Sequence, residues 1–119
     1  MTKLLAAFAA IFVAAAAVAQ DKAEKKAPQA SVHPISENDK VKVYEVTFKP
    51  GAENKGVAAS TMRVVRAIRG GQLERTYAAG KTEIVTWRPG QVRIVQPGPA
   101  YGTKNVGKSL VVLYIVQVK

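Results

Sequence analysis

The chain has 119 residues and a formal net charge of +10, from 18 Lys and Arg against 8 Asp and Glu, and it contains no cysteine. No disulfide can staple the fold and no thiol can carry a lipid, so stability has to come from one hydrophobic core. The positive charges are spread along the chain without a block of five or six, no nucleic-acid-binding motif appears, and aromatics make up only 7% of residues. This argues against a specific nucleic-acid partner and for a basic, solvated surface with a general attraction to anions.

The first element is a targeting segment. Met1 to Ala19 has a basic start at Lys3, an apolar run from Leu4 to Val18 and the small-residue pattern Ala17-Val18-Ala19. That is the layout of a secretory signal peptide, and the run is short and Ala-rich for a spanning helix. The expectation is cleavage after Ala19, leaving a periplasmic or secreted chain of charge about +9 with no membrane span, because only Lys3 leaves with the signal. Residues 20–40 are polar, charged and rich in Ala and Pro, and read as a flexible linker. His33, the only histidine, stands in it before Pro34 and is expected to be solvated.

From Val41 the pattern changes, and residues 41–119 read as the folded domain. VKVYEVTF alternates β-branched and aromatic residues with polar ones and ends at Pro50-Gly51. A softer stretch, AENKGVAAS, leads to TMRVVRAIR, which Gly70-Gly71 closes. QLERTYA, TEIVTW and QVRIVQ follow, separated by turns at Ala79-Gly80 and Arg88-Pro89-Gly90. Pro97-Gly98-Pro99 turns again, with Pro presetting φ and Gly accepting a positive one. The final run, SLVVLYIVQV, is apolar almost throughout and is expected to be buried on both faces. No segment has a capped 3.6-residue period and no repeat of fixed length is present, so the domain is predicted to be an all-β sandwich or small barrel.

The turn residues also have a spacing. Gly51 is followed by five residues, then Val57, one residue, Ala59, three residues, Arg63, six residues and Gly70. Further on, Gly90 leads to Pro97, and Tyr101 is followed by three residues and Asn105. These intervals resemble the two motifs of the cupin family, in which a Gly precedes His-x-His, Glu and Gly, and a second Gly precedes Pro-x-Gly, His and Asn. The interval from Pro97 to Tyr101 is one residue short of that pattern. The resemblance covers Val41 to Lys119 and implies a double-stranded β-helix, a jelly-roll barrel.

In metal-binding members of the family the histidines and the glutamate hold the ion. By the resemblance, those positions are Val57, Ala59, Arg63 and Tyr101 here. Val, Ala and Arg offer no ligand to a divalent cation, and one Tyr cannot hold it alone. The expectation is therefore a chain without metal or other cofactor. The family position of Arg63 points into the barrel mouth, where an unpaired guanidinium is expensive to bury. Two roles stay open for it: an internal pair with Glu45 or Glu53, or a grip on an anionic ligand. Tyr101 is expected to line the same pocket together with Val57 and Ala59, and Trp87 and Tyr77 to form an aromatic wall or simply core. Asn105 is expected to satisfy backbone groups in the turn before Gly107. Oxygenase chemistry needs the missing metal, and a single His before the domain cannot build a Ser-His-Asp or Cys-His site. The functions that remain are a binding module for a small anion, a homodimeric interaction protein of the cell envelope paired through edge strands, or a metal-independent isomerase or epimerase.

Overall fold

Segments that alternate branched or aromatic residues with polar ones, and that lie between Pro-Gly and Gly-Gly turns, form strands throughout this protein. The computed structural model describes residues 27–56 and 60–119. Among them are nine strands and no helix: β1 Ser31–Glu37, β2 Val41–Phe48, β3 Glu53–Asn54, β4 Arg63–Arg69, β5 Gly71–Tyr77, β6 Thr82–Trp87, β7 Val92–Val95, β8 Tyr101–Asn105 and β9 Val111–Val118. They form two sheets, one in the order β1-β2-β9-β4-β7 and the other β3-β8-β5-β6. All named pairs are antiparallel. The all-β prediction and the double-stranded β-helix are both observed.

The two sheets face each other across one apolar layer. Val46 and Phe48 on β2, Val65 and Ala67 on β4, and Val111, Leu113 and Ile115 on β9 are buried on one side. Leu73 on β5 and Trp87 on β6 are buried on the other. Each fully buried side chain of this kind contributes about 1.5–3 kcal/mol, which is how a domain of this size folds without cysteines. The turn between β6 and β7 depends on Gly90, whose φ of 81° is a left-handed value that branched residues avoid. Its N–H donates to the Ala67 carbonyl at 2.6 Å, tying the turn to β4.

Two sequence expectations change. Residues 20–40 do not form a leader along their whole length. The Ala30 N–H donates to the Glu53 carbonyl and the Glu53 N–H to that of Pro28, and Ser31–Glu37 then pairs with β2 as an edge strand. The β1–β2 turn is closed by Asn38, whose side-chain oxygen accepts from the N–H groups of Lys40 and Val41, both at 2.8 Å. Every residue of β1 is exposed, so no hydrophobic pattern marks it, and its position at the end of the sheet is where a strand accepts a proline such as Pro34. The last strand is also not buried on both faces: Val111, Leu113 and Ile115 are buried, while the alternate Val112, Tyr114 and Val116 are half-buried. β9 lies at the centre of one sheet with a single neighbouring sheet, so only one face is covered. The proposed signal segment, residues 1–19, lies outside the described residues.

Candidate functional site

The inner faces of the strands carry more than the core. On β4, Ala67 and Val65 are buried and Arg63, two residues on, continues the same face. β9 follows suit, with Val111, Leu113 and Ile115 succeeded by Gln117, and Gln117 is the register partner of both Arg63 and Lys42. β2 runs from Phe48 and Val46 to Tyr44, and β8 from Asn105 through Thr103 to Tyr101. The polar ends of these four strands meet at one end of the barrel. There they surround a cavity of about 610 Å³, with Tyr44, Arg63, Tyr101, Thr103 and Gln117 in its lining.

Arg63 and Tyr101 are in direct contact. An Nη2 hydrogen of Arg63 is donated to the Tyr101 hydroxyl at 2.8 Å. Two guanidiniums approach Tyr101: that of Arg63 is 5.8 Å from its ring centroid and that of Arg75 is 4.5 Å from it. Arg75 is partly neutralised by Glu83 at 3.5 Å, and the Tyr77 hydroxyl donates to Glu83 at 2.9 Å while its ring tilts against Tyr101. Arg63 has no such carboxylate among the described residues. Glu45 points to the outer face, since Tyr44 and Val46 point inward, and Glu53 is the register partner of Lys104, which lies on the far face of β8. The internal ion pair considered from sequence is thus not formed.

The Arg63 Nε–H is buried and has no acceptor among the described residues. An orphaned buried donor costs about 1–3 kcal/mol, more when charged. The Tyr44 hydroxyl donates to Gln117 Oε1 at 2.9 Å beside it. Burial pushes the Tyr44 hydroxyl above the ordinary tyrosine range, and the Arg63 charge pulls in the opposite direction without cancelling it. Below these groups, between Arg63, Arg75, Tyr101 and Trp87, lies a smaller void of about 70 Å³. Two guanidiniums border it, and among the described residues no three His, Cys, Asp or Glu side chains gather to hold a metal. The donors present fit an anion and repel a divalent cation.

Of the residues singled out from sequence, the structure brings Arg63 and Tyr101 together in the cavity. Val57 and Ala59 lie outside the described residues; Gly56, just before them, borders the cavity. A Cβ on Gly56 would fall 2.3 Å from the Tyr101 carbonyl oxygen, so only glycine lets this segment cross β8. Trp87 is not in the wall of the large cavity. It is buried in the core at the edge of the small void, with the Arg93 guanidinium 4.5 Å above its ring. Asn105 has the structural role expected of it. It is 1% exposed, its amide donates to the carbonyls of Phe48 and Ser109, and its oxygen accepts from the Gly107 N–H. Sequence reasoning missed Tyr44, Gln117 and Arg75. Their signal was register: each continues the inward set of its strand, but only once the inner face is known.

The sequence matches no family model and no curated protein. Solved structures resemble it in shape. A cupin domain from Bordetella pertussis Tohama I superposes with a TM-score of 0.73 at 24% identity, covering 79% of this chain and 97% of that one. A double-stranded β-helix domain protein from Klebsiella pneumoniae MGH 78578 gives 0.61 at 20% identity, over 76% of each chain. A cupin family protein of the RmlC-like type from Methanocaldococcus jannaschii also gives 0.61, at 12% identity, over 80% of this chain and 84% of that one. Strand order, sheet pairing and these superpositions agree that the chain has the double-stranded β-helix fold of the cupins.

Proposed function

We propose that this is an exported, metal-independent binding protein that holds a small anion in the barrel mouth, with Arg63 as the anchoring charge. The observation that carries this reading is the buried Arg63 Nε–H, which has no acceptor among the described residues and sits in the wall of a cavity of about 610 Å³. A carboxylate or phosphate oxygen would satisfy it and neutralise the guanidinium in one contact. Cavities of about 300–1,000 Å³ are the size that takes a small molecule. The Tyr101 hydroxyl, already accepting from Arg63, holds the guanidinium in place.

Thermal-shift measurements on the purified chain with sugar acids, dicarboxylates and phosphate test the reading. At least one anion is expected to raise Tm at millimolar concentration, and the shift is expected to vanish in Arg63→Met. No shift with any of them, and none with a monocarboxylate, would remove the anchoring role. Metal analysis of the same sample is expected to show no stoichiometric iron, zinc or manganese, and intact mass after expression with the native leader a chain beginning at Gln20.

A second reading, a homodimer, is supported by the outer face of the five-stranded sheet. Val64 and Ile94 are register partners, as are Val64 and Val116, and Val116 and Val43. This makes an apolar row across four strands, and Ile94 is 61% exposed. Beside it, Tyr114 stands between Glu45 and Arg66, opposite charges that a twofold axis would bring face to face. Light scattering is expected to give twice the chain mass, returning to one in Ile94→Lys.

A further inference from the structure

We infer that the ligand is a monocarboxylate carried on an apolar body, such as an arylalkanoic or branched-chain acid, and that the β1–β2 hairpin is the wall that receives this body. The inference rests on the anion-binding reading of Arg63 and specifies the rest of the molecule.

The cavity has two chemically different sides. Arg63, Tyr101, Tyr44 and Gln117 form the polar one. Val32, Pro34 and Ile35 of β1, with Val46 and Ile115 beneath them, form the other. The β1 residues are unusual for large apolar side chains. Val32 is 56% exposed and Ile35 45%, and their strand contributes nothing to the buried core. A register shift between Pro34 and Ser36 lets the consecutive residues Pro34 and Ile35 both border the cavity. Exposed apolar surface on a concave wall loses its contact with water only when an apolar group enters.

Charge sets the number of acidic groups. Arg75 is paired with Glu83 and lies on the Tyr101 ring, and Glu37 at the cavity edge is paired with Lys119. Lys42 and Lys55, also in the lining, are exposed to solvent, so Arg63 is the cation of the polar side that combines a buried N–H with no carboxylate partner among the described residues, a match for one carboxylate. Volume points the same way. A compact oxyanion, only a few times the roughly 30 Å³ share of a water molecule, would leave most of the 610 Å³ unfilled and the β1 wall wet.

Isothermal titration of the full purified chain with 3-phenylpropionate, 4-methylpentanoate, acetate, inorganic phosphate and the neutral 3-phenylpropanol tests this. The two apolar acids are expected to bind at least about tenfold tighter than acetate or phosphate, and tighter than the alcohol. Arg63→Met is expected to abolish acid binding. In the double variant Val32→Ser, Ile35→Ser, the preference for 3-phenylpropionate over acetate is expected to fall about tenfold. Both positions are exposed, and an unchanged circular dichroism spectrum and Tm would show that the fold persists. Acetate or phosphate binding as tightly as the apolar acids would overturn the apolar body while leaving the Arg63 anion site standing. The alcohol matching the acid, or no anion binding at all, would overturn both.

Discussion

The two ends of the barrel interior are built by the same strands and obey opposite rules. At one end Phe48, Ala67, Leu73, Trp87 and Val111 are at most 4% exposed, and Asn105, the one buried polar side chain among the described residues, has its amide and oxygen hydrogen-bonded. At the other, a few residues along the same strands, Tyr44, Arg63, Tyr101 and Gln117 surround open space and a buried donor has no acceptor among the described residues. Alternation along a strand decides only which face a residue occupies; distance along the strand decides whether that face is packed or left open. The closed end supplies stability, which allows the open end to hold groups that folding alone would not favour.

This contrast can be broken by mutation at either end. Asn105→Ala should be the most damaging change, because it leaves the carbonyls of Phe48 and Ser109 and the N–H of Gly107 without their partner. A loss of about 3 kcal/mol or more is expected in denaturant unfolding. Arg63→Met should behave in the opposite sense. It removes a buried unpaired donor at the open end, so stability should hold or rise by up to about 1 kcal/mol while anion binding disappears. A comparable loss at both positions would show that the two ends are not distinct.

The smallest expected effect is alkaline. The Tyr44 hydroxyl is raised by burial, so the folded chain keeps its proton at a pH where the unfolded chain has released it. Its contribution to stability is therefore full below the ordinary tyrosine value of about 10 and declines as pH rises from there through the raised value. Tyr77 is raised as well, chiefly by its hydrogen bond to Glu83, and adds to the same decline. Tyr44→Phe should make the alkaline fall in Tm shallower without abolishing it. An unchanged slope would mean that Tyr44 is as solvated in the fold as in the open chain.

How much of this was legible in the sequence follows the same division. Pro50-Gly51, Gly70-Gly71 and Arg88-Pro89-Gly90 punctuate the strands of the closed end, where hydrophobic alternation is strong. Arg63 and Tyr101 were reached from motif spacing, and the structure brings them within hydrogen-bonding distance. β8 was not recognised as a strand, since its inward residues Tyr101, Thr103 and Asn105 are polar and show no apolar period. Tyr44 and Gln117 stayed hidden for a related reason. β2 has Val41 and Val43 on its outer face, and β9 is apolar on both, so neither strand announces which side faces inward. β1 went unseen because its partner on the cavity side is open space instead of core.

Pro34 has a consequence beyond the cavity. β1 is the terminal strand of its sheet, and a proline at its middle supplies no N–H to a passing chain, while the neighbouring register shift bends the ribbon out of plane. A strand of another molecule seeking to add itself there would meet a gap in the ladder where it needs a continuous row. For a protein with no covalent cross-link to hold it closed, that interruption is a safeguard against growth into fibrils.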